Sequence, residues 1–308
     1  MLAGMTRVLS QILPILILIG LGCLLRMSGF LTRDLARGLT RLIVAVLMPA
    51  LIFRAVHEAK LSSALAAPAA VGAITVAGSI AATFGVAVLL GLRGERRGAL
   101  ILAGSFGNTG YLGYPMTVEL LGANLLPAAV FYDVVGNTPI VFGFGAMMAQ
   151  HYGAGEDRPT VVNGIRTLAS FPPLWGLVAG LALHGVSLPA VVARPVELLA
   201  GSTIPLIMLA VGASLTAGGL RRHWKLAGVV AVMKLGVSPA IAYVAARLLG
   251  ASPDITRVAV LEAGMPTFLL GLVLADRYEL DSDVIATAIF VTTISAILTV
   301  PAWLHLLR

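Results

Sequence analysis

Ala103-Gly-Ser-Phe-Gly-Asn-Thr-Gly-Tyr-Leu-Gly-Tyr-Pro115 and Leu261-Glu-Ala-Gly-Met-Pro-Thr-Phe268 are the two stretches that decide the fold. Each sits near the centre of an apolar run otherwise long enough to cross a bilayer as a helix. Gly107, Gly110, Gly113 and Pro115 make a continuous helix unfavourable in the first, and Pro266 removes a backbone donor from the second. Unwound backbone at membrane depth is tolerated only where protein buries it or a wet cavity meets it. A single interruption of this kind is commonly a kink. A pair in corresponding places is the signature of a transporter binding site built from broken helices.

The surrounding sequence has the composition of a helical membrane protein. Apolar residues make up 58% of the chain and charged residues 11%, against roughly 25% charged in soluble domains. The mean hydropathy is +0.97. The apolar runs are continuous rather than alternating, which excludes a transmembrane β-barrel. Runs near 8–25, 39–56, 66–90, 99–121, 128–150, 167–183, 196–216, 226–249, 258–275 and 284–306 predict ten transmembrane helices. The first run is longer than a signal-peptide core and lacks a following cleavage pattern, so it is read as a retained helix.

The longest polar connection, residues 151–166, divides the chain into 1–150 and 167–308, with five predicted helices in each part. An odd number makes the second part enter the membrane in the opposite sense. The expected fold is therefore all-α and polytopic, a 5+5 inverted repeat whose fourth and ninth helices are broken and cross at mid-membrane. Asn108 and Pro266 each lie about ten residues from a span end, or roughly 15 Å deep at 1.5 Å per residue.

Orientation follows from the basic residues. With both termini outside, thirteen Lys and Arg fall on the inward side, among them Arg26, Arg33, Arg37, Arg41, Arg93, Arg96, Arg97 and Arg158. Six fall outside, including Arg7, Lys60 and Arg308. The expected location is a bacterial-type inner membrane, with residues 151–166 forming a cytoplasmic loop. The net charge of +7 is spread over these short connections; it suits lipid head groups rather than nucleic acid.

Few ionisable residues lie deep in the apolar runs, which makes them informative. Asp133 and Asn137 are four apart and share a helix face. Lys234 is expected to compensate the partial charge at a broken-helix end, or to pair with Glu262. Glu262 adjoins the second break, where a carboxylate beside free backbone carbonyls suits Na⁺ or a proton. No other metal site is expected, and no cofactor. Cys23, the single cysteine, reads as a packing residue. The five histidines fall at helix ends and loops without metal-ligand spacing, and are expected at the surface. Gly176-Leu-Val-Ala-Gly180 reads as a close helix–helix contact. Too few polar groups are available for a nucleophile with its base, so no enzyme activity is expected.

Three segments together resemble the auxin efflux carrier family, whose members include plant auxin carriers and bacterial carriers of malonate or malate. They are Leu47-Met-Pro-Ala-Leu-Ile-Phe53, Gly107-Asn-Thr-Gly-Tyr-Leu-Gly-Tyr-Pro115, and Glu262-Ala-Gly-Met-Pro-Thr267, followed by Asp276-Arg-Tyr-Glu-Leu-Asp281. The resemblance covers essentially the whole chain. It implies a scaffold helix group and a core group. Asn108 looks like the family's substrate-contacting asparagine and Pro266 like its second crossover proline. Gly107 stands where plant members have proline, and Thr267 where they have a second amide, so auxin itself is not the expected substrate. Glu262-Ala-Gly-Met265 is similar to the sodium-site segment of sodium–bile acid symporters in the wider superfamily.

The expected function is secondary transport of a small organic anion, a mono- or dicarboxylate, by alternating access with Na⁺ or H⁺ coupling. An uncoupled uniporter, a channel-like efflux protein and a non-transporting membrane sensor are the alternatives. Expected substrate-site residues are Pro49, Gly107, Asn108, Thr109, Gly110, Asn137, Met265, Pro266 and Thr267. Asp133, Glu262 and Thr109 are assigned to the coupling cation. The expected partners are the organic anion, membrane lipid and a second copy of the chain in a homodimer.

Overall fold

The computed structural model describes residues 2–59, 65–154, 161–215 and 220–307. Three basic residues used for orientation, Lys60, Arg158 and Arg308, lie outside them, as does most of the polar part of the central connection. Every extended element among the described residues is a helix, and the one β feature is an isolated bridge. The helices are α1 (Leu2–Met27), α2 (Arg33–His57), α3 (Ala66–Leu89), α4 (Gly94–Ser105), α5 (109–120) and α6 (Ala123–Tyr152). They continue as α7 (Val161–Ala169), α8 (Pro172–Ala182), α9 (Ala190–Ser214), α10 (Arg222–Leu248), α11 (Pro253–Ala263), α12 (Leu270–Tyr278) and α13 (Ser282–Leu306).

Six of these, α2, α3, α6, α9, α10 and α13, are long and apolar enough to cross a bilayer. The apolar part of α1 (Leu13–Met27) and all of α8 are shorter apolar helices. Large apolar side chains such as Leu24, Leu248 and Leu298 face outward, a distribution that suits lipid rather than water. One expectation shifts at the central connection. Residues 161–166, expected in a loop, are helical, and the chain turns only at Ser170–Phe171 before Pro172 and Pro173 open α8. A helix restarting at prolines follows from a position that needs no intrahelical N–H.

Prolines also shape the helix interiors. The wide turns at Ile43–Leu47, Thr109–Gly113, Phe131–Asn137 and Met233–Val237 stand just ahead of Pro49, Pro115, Pro139 and Pro239. Proline lacks an N–H and its ring collides with the carbonyl four residues back, so a wider turn lets the helix run on. These turns are not evident in hydropathy alone.

Glycine sets the closest helix contacts. A Cβ on Gly22 or Gly212 would overlap backbone of Leu209 or Ile19, so α1 and α9 pack backbone to backbone. Gly176 and Gly180 meet the backbone of Pro49 and Phe53 in the same manner, and α8 lies against α2. Close contacts thus join α1 to α9 and α8 to α2. Two buried clusters flank this arrangement. One gathers Ile43, Ile52, Ile207 and Met208; the other gathers Leu100, Ile101, Phe106, Val284 and Ile285.

Candidate functional site

Helix α4 ends at Ser105, and Phe106 turns to extended backbone (φ −105°, ψ 130°) before α5 begins at Thr109. Helix α11 ends at Ala263, and α12 begins at Leu270. The two unwound segments satisfy each other. Gly107 and Thr267 form an antiparallel bridge, Asn108 N donates to the Pro266 carbonyl at 2.7 Å, and Phe268 N donates to the Phe106 carbonyl at 3.2 Å. Exchanging residues that are 160 apart, 108 for 268 and 266 for 106, turns the Asn108–Pro266 bond into the Phe268–Phe106 bond. The breaks are therefore related by a local two-fold. Pro266, which cannot donate, is used only as an acceptor. Backbone that would be stranded at membrane depth is thereby paired.

The last carbonyls of the two first half-helices are capped from outside. Thr267 Oγ1 donates to the Ala103 carbonyl at 2.8 Å. Lys234 Nζ donates to the equivalent carbonyl, Ala263, at 2.5 Å, and to Ser238 Oγ at 3.3 Å. A cation at a helix C-terminus offsets its partial negative charge. The expected alternative pairing of Lys234 with Glu262 is not among the ion pairs of the described residues; the ammonium is turned to the carbonyl instead.

The three glycines of the first break have a shared purpose. A Cβ at Gly107 would come within 2.8 Å of Lys234 Cε, and one at Gly110 within 2.8 Å of Met48 Cε and 3.4 Å of Asp133 Oδ2. A Cβ at Gly113 would collide with Glu262 Oε2. Gly107 and Gly113 therefore make room beside Lys234 and Glu262, while Gly110 makes room for Met48 with Asp133 in ordinary contact. Lys234, Asp133 and Glu262 are all buried, and they arrive from α10, α6 and α11.

Asp133 is fully engaged. Its Oδ1 accepts from Thr109 Oγ1 at 2.6 Å, Asn137 Nδ2 at 3.0 Å and Thr138 Oγ1 at 3.3 Å, and its Oδ2 accepts from Tyr114 OH at 2.8 Å. Asn137 Nδ2 also reaches Thr109 Oγ1 at 3.1 Å, leaving its amide oxygen without a partner. Hydrogen bonding at this density fixes the cluster in one arrangement. Glu262 is different. Oε1 accepts from Thr117 Oγ1 at 3.1 Å, while Oε2 is buried without a partner.

A cavity of about 100 Å³ opens beside the first break. It brings together Gly107, Asn108, Thr109, Gly110, Asp133 and Asn137, with Phe142, Phe171 and Phe268 as apolar walls. The remaining predicted residues are elsewhere. Met265 and Pro266 line a second, apolar cavity of about 290 Å³ between α1 and α13. Thr267 is fully buried in backbone capping, and Glu262 is walled off behind Gly113. Pro49 is half-buried under α8, and its neighbour Met48 faces the Asn108 cavity in its place. Tyr114, Thr138 and the phenylalanine walls escaped sequence reasoning, although Tyr114 follows Thr109 by five residues in the same broken segment. Among the described residues no group of three His, Cys, Asp or Glu could hold a metal ion. One histidine corrects the surface expectation: His223 is buried. Cys23 is half-buried and its thiol donates to the Gly212 carbonyl at 3.1 Å, as a packing residue would.

Comparison with known proteins extends over the same region and beyond it. The family described as "Membrane transport protein" matches residues 7–304. A protein of Methanothermobacter thermautotrophicus named "Uncharacterized transporter" is 32% identical, covering 96% of both chains. A transporter of Methanocaldococcus jannaschii, also named as uncharacterized, is 29% identical over 96% of this chain and 97% of its own. A Rhizobium meliloti protein named "Putative malonate transporter" is 27% identical over 99% of this chain and 97% of its own.

Proposed function

The chain belongs to the membrane transport protein family, and from that premise we propose that it is a secondary active carrier of a small organic anion. The observation that carries this reading is the paired break. Two helices stop and restart beside one cavity, held by an antiparallel backbone bridge. The second half-helices, α5 and α12, both begin there, and helix N-termini attract anions. Asn108 lines the cavity and adds an amide side chain to it, while Thr109 and Asn137 spend their donors on the Asp133 cluster. The malonate named for the Rhizobium relative agrees with a carboxylate substrate.

In this reading α4 with α5 is the fourth span and α11 with α12 the ninth, crossing at mid-membrane within a ten-span, 5+5 inverted repeat. Support comes from the local two-fold at the bridge and from the reciprocal packing of α1 on α9 and α8 on α2. Both termini lie outside, as the basic residues favour. Motion of the broken helices against the α1, α2, α8 and α9 scaffold would expose the cavity alternately. Coupling would run through Asp133 and Glu262, with Na⁺ or H⁺ as the ion. Lys234 already holds the Ala263 carbonyl, removing one oxygen from a sodium ligand set there.

Uptake of labelled carboxylates into proteoliposomes tests the proposal. Saturable uptake with counter-flow is expected, driven by an imposed Na⁺ or pH gradient and lost in Asn108→Ala. Transport unaffected by that substitution would remove the Asn108 cavity as the site.

A further inference from the structure

We infer that the apolar cavity behind the second break is a binding site for one acyl chain of a membrane phospholipid, which enters sideways between α1 and α13 and lies against Met265 and Pro266.

The cavity of about 290 Å³ has three walls. Leu16, Gly20 and Cys23 stand at i, i+4 and i+7 on one face of α1. Thr293, Ile297 and Val300 do the same on α13, and Met116 of α5 with Met265 closes the inner side. Gly20 is what leaves the space open. A Cβ there would meet nothing within 4 Å, whereas one at Gly22, on the opposite side of the helix, would strike the Leu209 backbone. One face of α1 is therefore pressed on α9, and the other is left unfilled.

The chemistry of the walls selects the occupant. No charged residue is among the described residues that line the cavity. The Cys23 thiol is spent on the Gly212 carbonyl, and Pro266 has no N–H while its carbonyl takes the Asn108 N–H. A cavity water needs two to four polar partners, and an apolar cavity takes an apolar ligand instead. The supply of such a ligand lies at the mouth. Ile294 of the lining is 50% exposed, and Ile17, Leu21 and Leu298 beside it face outward. The cavity is thus continuous with the surface that meets lipid.

Size and length agree with a single tail. A cavity of roughly 150 Å³ holds benzene, so one about twice as large holds roughly a dozen carbons. Arg26 ends α1 one turn beyond Cys23, held there by a bond from Nη1 to the Leu31 carbonyl at 3.0 Å. It lies ten residues from Leu16, roughly 15 Å at 1.5 Å per residue, which is one leaflet's share of a hydrocarbon core roughly 30 Å thick. A phosphate beside the Arg26 guanidinium therefore leaves its tail the length needed to reach the break.

Photo-crosslinking tests the assignment. The full chain would be reconstituted in vesicles of a phospholipid bearing a diazirine midway along one tail, irradiated, and its adducts mapped by mass spectrometry. Surrounding lipid labels Leu298 in any case. Met265 and Met116, 0% and 6% exposed, are reached only by a tail inside the cavity, and adducts on them are expected. Gly20→Phe fills the open space and should abolish the Met116 and Met265 adducts while those on Leu298 persist. Should that variant not fold, Gly20→Leu replaces it. Cys23, the single cysteine, should resist a charged, water-soluble thiol reagent in the folded chain and react once the chain is unfolded. Adducts on Leu298 with none on Met116 or Met265 overturn the inference. So do deep adducts that survive filling at position 20, or rapid modification of Cys23, which would make the cavity a wet passage. No readout involves substrate, so the carrier reading is tested separately by uptake.

Discussion

Alanine at position 113 would place its methyl group on the Glu262 carboxyl group. In an unencumbered helix, glycine to alanine gains about 0.5–1 kcal/mol. Gly85, with nothing near its Cβ position, should show that gain and serves as the control. At Gly113 the new Cβ meets Glu262 Oε2 in a fully buried setting. Overpacking of this kind costs about 1–3 kcal/mol. Displacing the carboxyl group also breaks its bond from Thr117 Oγ1, leaving buried polar groups unsatisfied at about 1–3 kcal/mol. A net loss of about 1–5 kcal/mol is expected for Gly113→Ala. Reversible unfolding in detergent micelles would measure it, within a double-mutant cycle against Glu262→Ala. With the carboxyl group gone, the added methyl has room, so the coupling energy should be about 1 kcal/mol or more. Should Gly113→Ala stabilise the protein as Gly85→Ala does, or the cycle return a coupling near zero, the assignment of Gly113 as the seat of Glu262 is wrong.

Three other outcomes follow from the same geometry. Lys234→Met leaves the Ala263 carbonyl without its donor and should lower stability by about 1–3 kcal/mol in the same unfolding assay; an unchanged midpoint would mean the ammonium does not cap α11. Asp281→Ala removes the side-chain cap on Val284 N and the partner of Arg96, and should cost about 1 kcal/mol, most of it from the cap. In a Cys23→Ala background, Ser28→Cys should react with a membrane-impermeant maleimide only in inside-out vesicles, and Ser187→Cys only in right-side-out ones. Labelling of both from one side would reject the proposed orientation.

Much of the site was legible in the chain because its signals are local. The Gly107-Asn-Thr-Gly run and Met265-Pro-Thr break helices by their own backbone chemistry. Asp133 and Asn137 face one another because they are four apart, and they do bond. Non-local features were not legible. Nothing in the sequence announces that Gly107, Gly110 and Gly113 adjoin Lys234, Asp133 and Glu262, which come from three other helices. Nor could spacing separate Met265 and Pro266 from Asn108: the two breaks pair with one another, yet these residues line different cavities.

By itself, the sequence determined a helical membrane transporter with two interruptions at matching depth. Composition leaves too few charged residues for a fully water-facing surface, and Gly and Pro act on the helix that contains them. The tertiary structure decided how the interruptions are made tolerable and which buried polar groups remain unpaired. Backbone freed at membrane depth has to find partners, and the partners of each break lie in the other break about 160 residues away. Once Thr267 and Lys234 have taken the Ala103 and Ala263 carbonyls and Asp133 has gathered its four donors, the Asn137 amide oxygen is left buried and unpaired. Only the folded arrangement can reveal which acceptor is left over.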